Sequence, residues 1–274
     1  MAEWGPMRLH ISSFLGKAPQ PDMNLRAAEE AFGLLERVAR LKERLRKPWG
    51  AVPHDPADPV ALKMVESVQM VGQKDLTPMA SVAGTIADGV ADFLFTWGMT
   101  KVIVNNGGDI AVRLKAPNSV RVGLRENVEN DEFSRVLSLN VPFEKEGAAF
   151  GVATSGLGGR SLTRGIATAA TVMAETASVA DAAATAVANA SFVESPGVIR
   201  QLAETVDPQT DIPGIPVTVR VKDLDRETRT RAIAQALAIA EELVNKGIIL
   251  GAMVAVAGET GMTAFFKYHL VPTS

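Results

Sequence analysis

Residues 102–114, VIVNNGGDIAVRL, place two alternating apolar runs on either side of Asn105-Asn106-Gly107-Gly108-Asp109. Alternating runs joined by a short Asn/Gly break read as a β-hairpin, which commits this part of the chain to antiparallel sheet. The same five residues carry a second meaning, because consecutive glycines can leave backbone amides bare in a concave nest that holds an anion. By itself the stretch leaves turn and nest open.

The segments around it come in blocks. Residues 24–47 put Leu25, Ala28, Phe32, Leu35, Val38, Leu41 and Leu45 on one helical stripe that Pro48-Trp49-Gly50 ends; about three heptads fit a packed surface helix better than a coiled coil. A proline-rich linker leads to Asp58-Pro59, a cap and first-turn proline that open a helix through about Gln73, and Thr77-Pro78 opens another that Gly98 ends. Ala80, Gly84, Ala87 and Ala91 share a face of that helix, which predicts close packing of helix on sheet. Sequential antiparallel strands are expected near 101–104, 109–114, 120–124, 133–140 and 148–153, and GIATAATVMAE reads as a further strand. A helix at 178–191 capped by Ser178, a helix near 196–206, the strand PVTVRVK and a helix at 225–246 closed by Gly247 follow. IILGAMVAV and MTAFFKYHL, joined by Gly258-Glu259-Thr260-Gly261, read as a terminal hairpin.

Helices and antiparallel strands in blocks imply an α+β fold, antiparallel sheets with helices layered on one side, rather than a doubly wound parallel sheet. Residues 1–274 are expected to form one domain, or two intertwined halves divided near 140–150.

Composition narrows the chemistry. A formal net charge of −3 and a pI near 5.7 give no basic footprint for nucleic acid or anionic membrane. The absence of cysteine excludes disulfides, thiolate metal sites and cysteine nucleophiles. The three histidines, His10, His54 and His269, are scattered without metal-ligand spacing. The longest apolar run, 248–258, is too short to span a bilayer, and the N-terminus lacks the apolar core of a secretory signal. A cytoplasmic protein with a small-molecule partner is expected.

Three segments carry candidate chemistry. The first is the Gly-Gly turn. The second, TSGLGGRS at 154–161, holds hydroxyls, glycines that let backbone approach a ligand, and Arg160, which can clamp a phosphate bidentately; a surface loop is the alternative. The third is Asp181 and Thr185, four apart on a helix, whose hard oxygens can face one magnesium or calcium ion. Equally, Asp181 can satisfy a helix dipole and Thr185 can return its hydroxyl to a carbonyl.

The order TPMASVAGTIADGVADFL, KVIVNNGGDIAV, ATSG and SVADAAATAVANA resembles an uncharacterised prokaryotic family allied to the ApbE proteins, the FAD:protein FMN transferases, over about residues 60–192. The resemblance implies a T-fold-like α+β architecture with a ligand held between two halves. It implies that Gly107, Gly108 and Asp109, then Thr154, Ser155 and Gly156, line a flavin-nucleotide site, and Asn106 and Arg160, on the same two segments, are candidates for it by their own chemistry. Asp181 and Thr185 would hold magnesium, Asp181 being the catalytic residue, as FMN passes from FAD to a protein acceptor. The sequence departs from ApbE enzymes in two places: LGGRSLTRGIATAAT stands where a His-Ile-x-x-Pro-x-x-Gly element is found, and Pro78-Met79-Ala80-Ser81 where a Lys-Gly pair is found. The alternative is a non-catalytic module that binds a nucleotide, flavin or pterin; a purely structural, self-assembling protein stands behind it, since relatives of this kind often form homo-oligomers.

Overall fold

The computed structural model describes residues 1–51, 57–128, 133–140, 147–159 and 161–272. The chain begins with β1 (Ala2–Trp4), β2 (Met7–Leu15), β3 (Ala18–Pro19), α1 (Pro21–Leu45), α2 (Pro59–Val71) and α3 (Val82–Thr96). It continues through β4 (Lys101–Asn106), β5 (Asp109–Lys115), β6 (Ser119–Leu124), β7 (Arg135–Asn140), β8 (Gly147–Ser155), β9 (Ala169–Ala174) and α4 (Ala177–Ala190). The remainder is β10 (Val198–Leu202), α5 (Ala203–Val206), β11 (Pro216–Val221), α6 (Arg226–Asn245), β12 (Gly251–Val256), β13 (Glu259–Met262), α7 (Ala264–His269) and β14 (Leu270–Pro272). Among the described residues no helix is long and apolar enough to cross a membrane.

Two compact units share these elements. The first comprises Met1–Val120, Leu139–Ala153 and Met173–Ala182, the second Arg121–Ser138, Thr154–Val172 and Ala183–Ser274. β6, β7, β8, β9 and α4 each contribute residues to both.

In the first unit an antiparallel sheet runs β1-β2-β4-β5-β8, with β3 folded back on β2. The period-2 pattern decides what faces inward: Met7 and Leu9 from β2, and Val102, Val104 and Asn106 from β4, are buried while their neighbours are more exposed. Helices cover that face. α1 buries Ala27, Ala31, Leu34 and Val38, and α3 buries Ile86, Ala87, Val90, Ala91 and Leu94 in the same core. Local signals set the helix ends as expected for α2: Asp58 accepts the Val60 amide at 2.8 Å, and its ion pair with Arg37, at 2.8 Å, ties α2 to α1. The Thr77-Pro78 start gives a 3-10 turn, Pro78–Ser81, before the α-helix proper begins.

Three expectations are corrected. β5 pairs with β8, in the register Ile110↔Val152, and not with β6. β8 carries the continuously buried run Phe150–Ala153 that suits an inner strand, whereas β6 alternates buried and exposed and joins β7 and β14 in a separate three-stranded sheet. The stretch near 196–206 is mostly strand: β10 pairs antiparallel with β11, and only Ala203–Val206 is helical. The terminal hairpin is β12 with the short β13, turning at Ala257 and Gly258; the apolar Phe265-Phe266 segment then coils into α7, burying Phe266 completely.

The second unit packs α6 against β12 and β13. Its Ala232, Ala236 and Ala240, one turn apart, let the helix sit close, and Gly261 of β13 lies against the side chains of Ile233 and Leu237.

Gly84 is the tightest point of α3. A Cβ there would land on the Ala177 carbonyl at the start of α4, so the close face reads a neighbouring helix terminus and not the sheet alone. Gly84→Ala is expected to destabilise the protein by at least about 2 kcal/mol, outweighing alanine's advantage of about 1 kcal/mol in a helix interior. The urea midpoint measures this, and a stabilised variant would contradict the contact.

Candidate functional site

The glycine turn resolves first as a hairpin. Asn106 pairs with Asp109, and Gly107 and Gly108 between them have φ of 67° and 116°, which only glycine adopts freely. The Gly108 amide donates to Asn105 Oδ1 at 2.8 Å. Asn106 points the other way, into the buried face, at 3% exposure; its Nδ2 donates to the Ala83 carbonyl at 3.2 Å, while its Oδ1 is buried with no hydrogen-bond partner among the described residues. A buried acceptor left unpaired is uncommon and calls for a reason.

Ala83 and Gly84 form the first turn of α3, whose amides need acceptors. The N-cap residue Ser81 does not supply one, since its hydroxyl bonds the carbonyls of Met64 and Pro78. Asp181 of α4 does: its Oδ2 accepts the Gly84 amide at 2.9 Å. The arrangement is reciprocal. Asp88 of α3 accepts the first amides of α4, from Ala177 at 3.1 Å and Ser178 at 3.0 Å. Each helix thus lends a carboxylate to the positive end of the other. The expected Ser178 cap is corrected accordingly: Ser178 lies inside the first turn, and Asp88, with Thr176 Oγ1 accepting the Val179 amide, does the capping.

Asp88 is fully buried and needs more than two amides. Arg113 of β5 donates to it at 2.9 Å and Lys63 of α2 lies at 3.2 Å, while Arg113 also reaches Asp92 at 2.7 Å. Burial alone would push the Asp88 carboxyl up, but Lys63, Arg113 and the two amides together hold it below the usual carboxylate range. Asp181 goes the other way. Burial first, then the like charge of Asp109 and more weakly that of Asp88, raise its carboxyl well above the usual range, against the pull of the Gly84 and Ala83 amides.

α4 shows one further pattern. From Ala177 to Ala190 every residue is buried except Asp181, Thr185, Asn189 and Ala190. Asp181, Thr185 and Asn189 recur every four residues, so one polar stripe remains on an otherwise apolar helix. Asn189, which sequence reasoning missed, accepts the Arg164 amide at 2.9 Å; the i, i+4 spacing was its signal.

The first unit therefore brings together Asn106, the Gly107-Gly108 turn, Asp109 and Asp181 around the first turn of α3. Thr154, Ser155 and Gly156 belong to the second unit. There Thr154 Oγ1 shares a 2.9 Å hydrogen bond with Thr171 Oγ1, Ser155 ends β8 at 9% exposure, and Gly156 sits where a Cβ would come within 2.7 Å of the Thr168 carbonyl. Thr185 follows Asp181 by one turn of α4. Arg160 lies outside the described residues.

The architecture is that of an ApbE-type α+β protein. The apo crystal structure of the Pseudomonas stutzeri flavinyl transferase ApbE matches over 96% of both chains with a TM-score of 0.52 at 14% identity, a likeness of fold. Residues 1–262 match the family model described as AbpE bacteria, and the chain belongs to that family. Among its relatives are the UPF0280 protein of Methanococcus aeolicus, 30% identical over 72% of this chain and 82% of that one, and the UPF0280 protein of Methanocaldococcus jannaschii, 34% identical over 71% and 79%.

The opposite shifts of the two aspartates have opposite signs in stability. Asp88, depressed in the folded state, contributes stability above the ordinary carboxylate pKa that is lost as pH falls below it. Asp181, raised, contributes stability below that value that is lost as pH rises through its folded-state pKa. In metal-free buffer, Asp181→Asn is therefore expected to gain thermal stability relative to wild type progressively as pH rises from about 4, the ordinary aspartate value, into the neutral range, by a few degrees. A difference in Tm that stays flat across this range would contradict the raised carboxyl.

Proposed function

We propose that this chain binds a phosphate-bearing ligand, a flavin or other nucleotide, through a divalent cation held by Asp181 and Thr185, and that its chemistry is ApbE-like transfer at a pyrophosphate. The observation that carries the reading is the polar stripe of α4, in which Asp181 and Thr185 are half-buried while the residues between them are fully buried. The donor set fits magnesium: carboxylates, a hydroxyl and an amide carbonyl are hard oxygens. Two features of the first unit fit it as well. Asp109 and Asp181 repel one another, and Asn106 Oδ1 is a buried acceptor without a donor among the described residues.

When bound, the cation would neutralise pyrophosphate charge and polarise the phosphorus. The chain's own part is positional. Asp181, fixed by the Gly84 amide, holds its carboxylate at the end of α3, and the N-terminal turn of that helix adds positive potential beside it. Transfer would form a bond from a protein-acceptor hydroxyl oxygen to the phosphorus of the FMN half of FAD and break the bond to AMP. The hydroxyl proton passes to solvent.

A second reading, a non-catalytic binding module, draws on the hairpin: the Gly108 amide already serves Asn105 and is not available to a phosphate. Incubation with FAD and magnesium separates the two. The transferase reading expects AMP release that Asp181→Asn lowers by more than the roughly tenfold caused by loss of an outer partner. Calorimetric binding of FAD without AMP release would leave the module, and absence of both binding and release would remove the flavin reading.

A further inference from the structure

We infer that Asp88 is a positioning residue for the cation site: buried in α3 and touching no ligand, it sets the register of α4 and through it the place of Asp181. The inference rests on the proposed cation at Asp181, and three observations of the first unit carry it. First, Asp88 accepts both leading amides of α4, from Ala177 at 3.1 Å and Ser178 at 3.0 Å, so it fixes the helix's origin in translation as well as direction. Second, Asp88 is itself immobilised, with Arg113 at 2.9 Å and Lys63 at 3.2 Å, and Arg113 further anchored on Asp92 at 2.7 Å. Third, the start of α4 has no slack. Gly84 of α3 and Gly151 of β8 both abut the backbone of Ala177, leaving no room for a Cβ at either.

Asp181 lies one turn beyond this clamp, and its own bond to the Gly84 amide closes the loop between the helices. A shift of the α4 terminus is thereby transmitted to the Asp181 carboxylate, since the intervening turn of helix is rigid. Outer partners of metal-binding side chains commonly change affinity ten- to a hundred-fold on removal.

The test is Mn²⁺ titration of the full chain, read by the electron paramagnetic resonance signal of free ion. Asp88→Asn keeps the side chain's shape and removes one amide acceptor. It is expected to weaken Mn²⁺ binding at least about tenfold, while Val90→Ala, a truncation in the core face of the same helix, lowers Tm but leaves Mn²⁺ affinity within about twofold of wild type. Equal losses in both variants, or wild-type affinity in Asp88→Asn, would overturn the inference.

Should Asp88→Asn fail to fold, amide exchange of the wild-type chain decides. Mn²⁺ is expected to slow exchange at Ala177 and Ser178 together with Gly84, and slowing at Gly84 alone counts against positioning. A wild-type chain that binds no Mn²⁺ would instead remove the cation reading. Positioning would then be read from Gly84 exchange in Asp88→Asn, faster than wild type if α4 has moved and unchanged if the inference is wrong.

Discussion

Two helix N-termini meet in the first unit, and each is completed by a carboxylate from the other. Asp88 of α3 takes the Ala177 and Ser178 amides, and Asp181 of α4 takes the Gly84 amide. The exchange solves a problem that neither helix solves alone, because leading amides buried without acceptors are destabilising by about 1–3 kcal/mol each. It also forces the backbones together, which is why glycine occupies positions 84 and 151, where any side chain would strike Ala177.

The two carboxylates are not equivalent. Asp88 is saturated by two cations and two amides and is kept ionised, a closed structural corner. Asp181, buried and facing the like charge of Asp109, is driven toward protonation. Environments that push two carboxyl groups apart in this way separate a closed structural corner from a group held at an energetic disadvantage. The polar stripe through Thr185 continues from the second group along an otherwise apolar helix. The fold that carries this arrangement is the one shared with the ApbE flavinyl transferase of Pseudomonas stutzeri.

Much of this was written locally. The hairpin at Gly107-Gly108, the Asp58-Pro59 start of α2, the closure of α6 at Gly247 and the α+β class follow from turn chemistry, capping and period. The order of motifs further pointed to Asp181. What escaped depends on distance in sequence. The pairing of β5 with β8 skips two strands, and the N-terminal β1-β2 hairpin, whose Met7 and Leu9 alternate inward, gains its core face only by pairing with the distant β4. β10 holds Val198-Ile199 beside charged residues, a mix that helix and strand share; pairing with β11 decides. Asp88 reads in sequence as one acid in a long helix. Only the arrival of α4, some ninety residues later, gives it a task, just as Asn106 shows its unpaired carbonyl only once β4 is packed on α3.

If Asp181 is the group that a cation relieves, a crystal grown with Mn²⁺ tests it most directly through anomalous scattering. The account expects a peak at a metal-ligand distance of about 2.1 Å from an Asp181 carboxylate oxygen, with the Gly84 amide still bonded to that side chain. A peak bound elsewhere, or an Asp181 carboxylate surrounded only by water and its own helix contacts at saturating Mn²⁺, would contradict it.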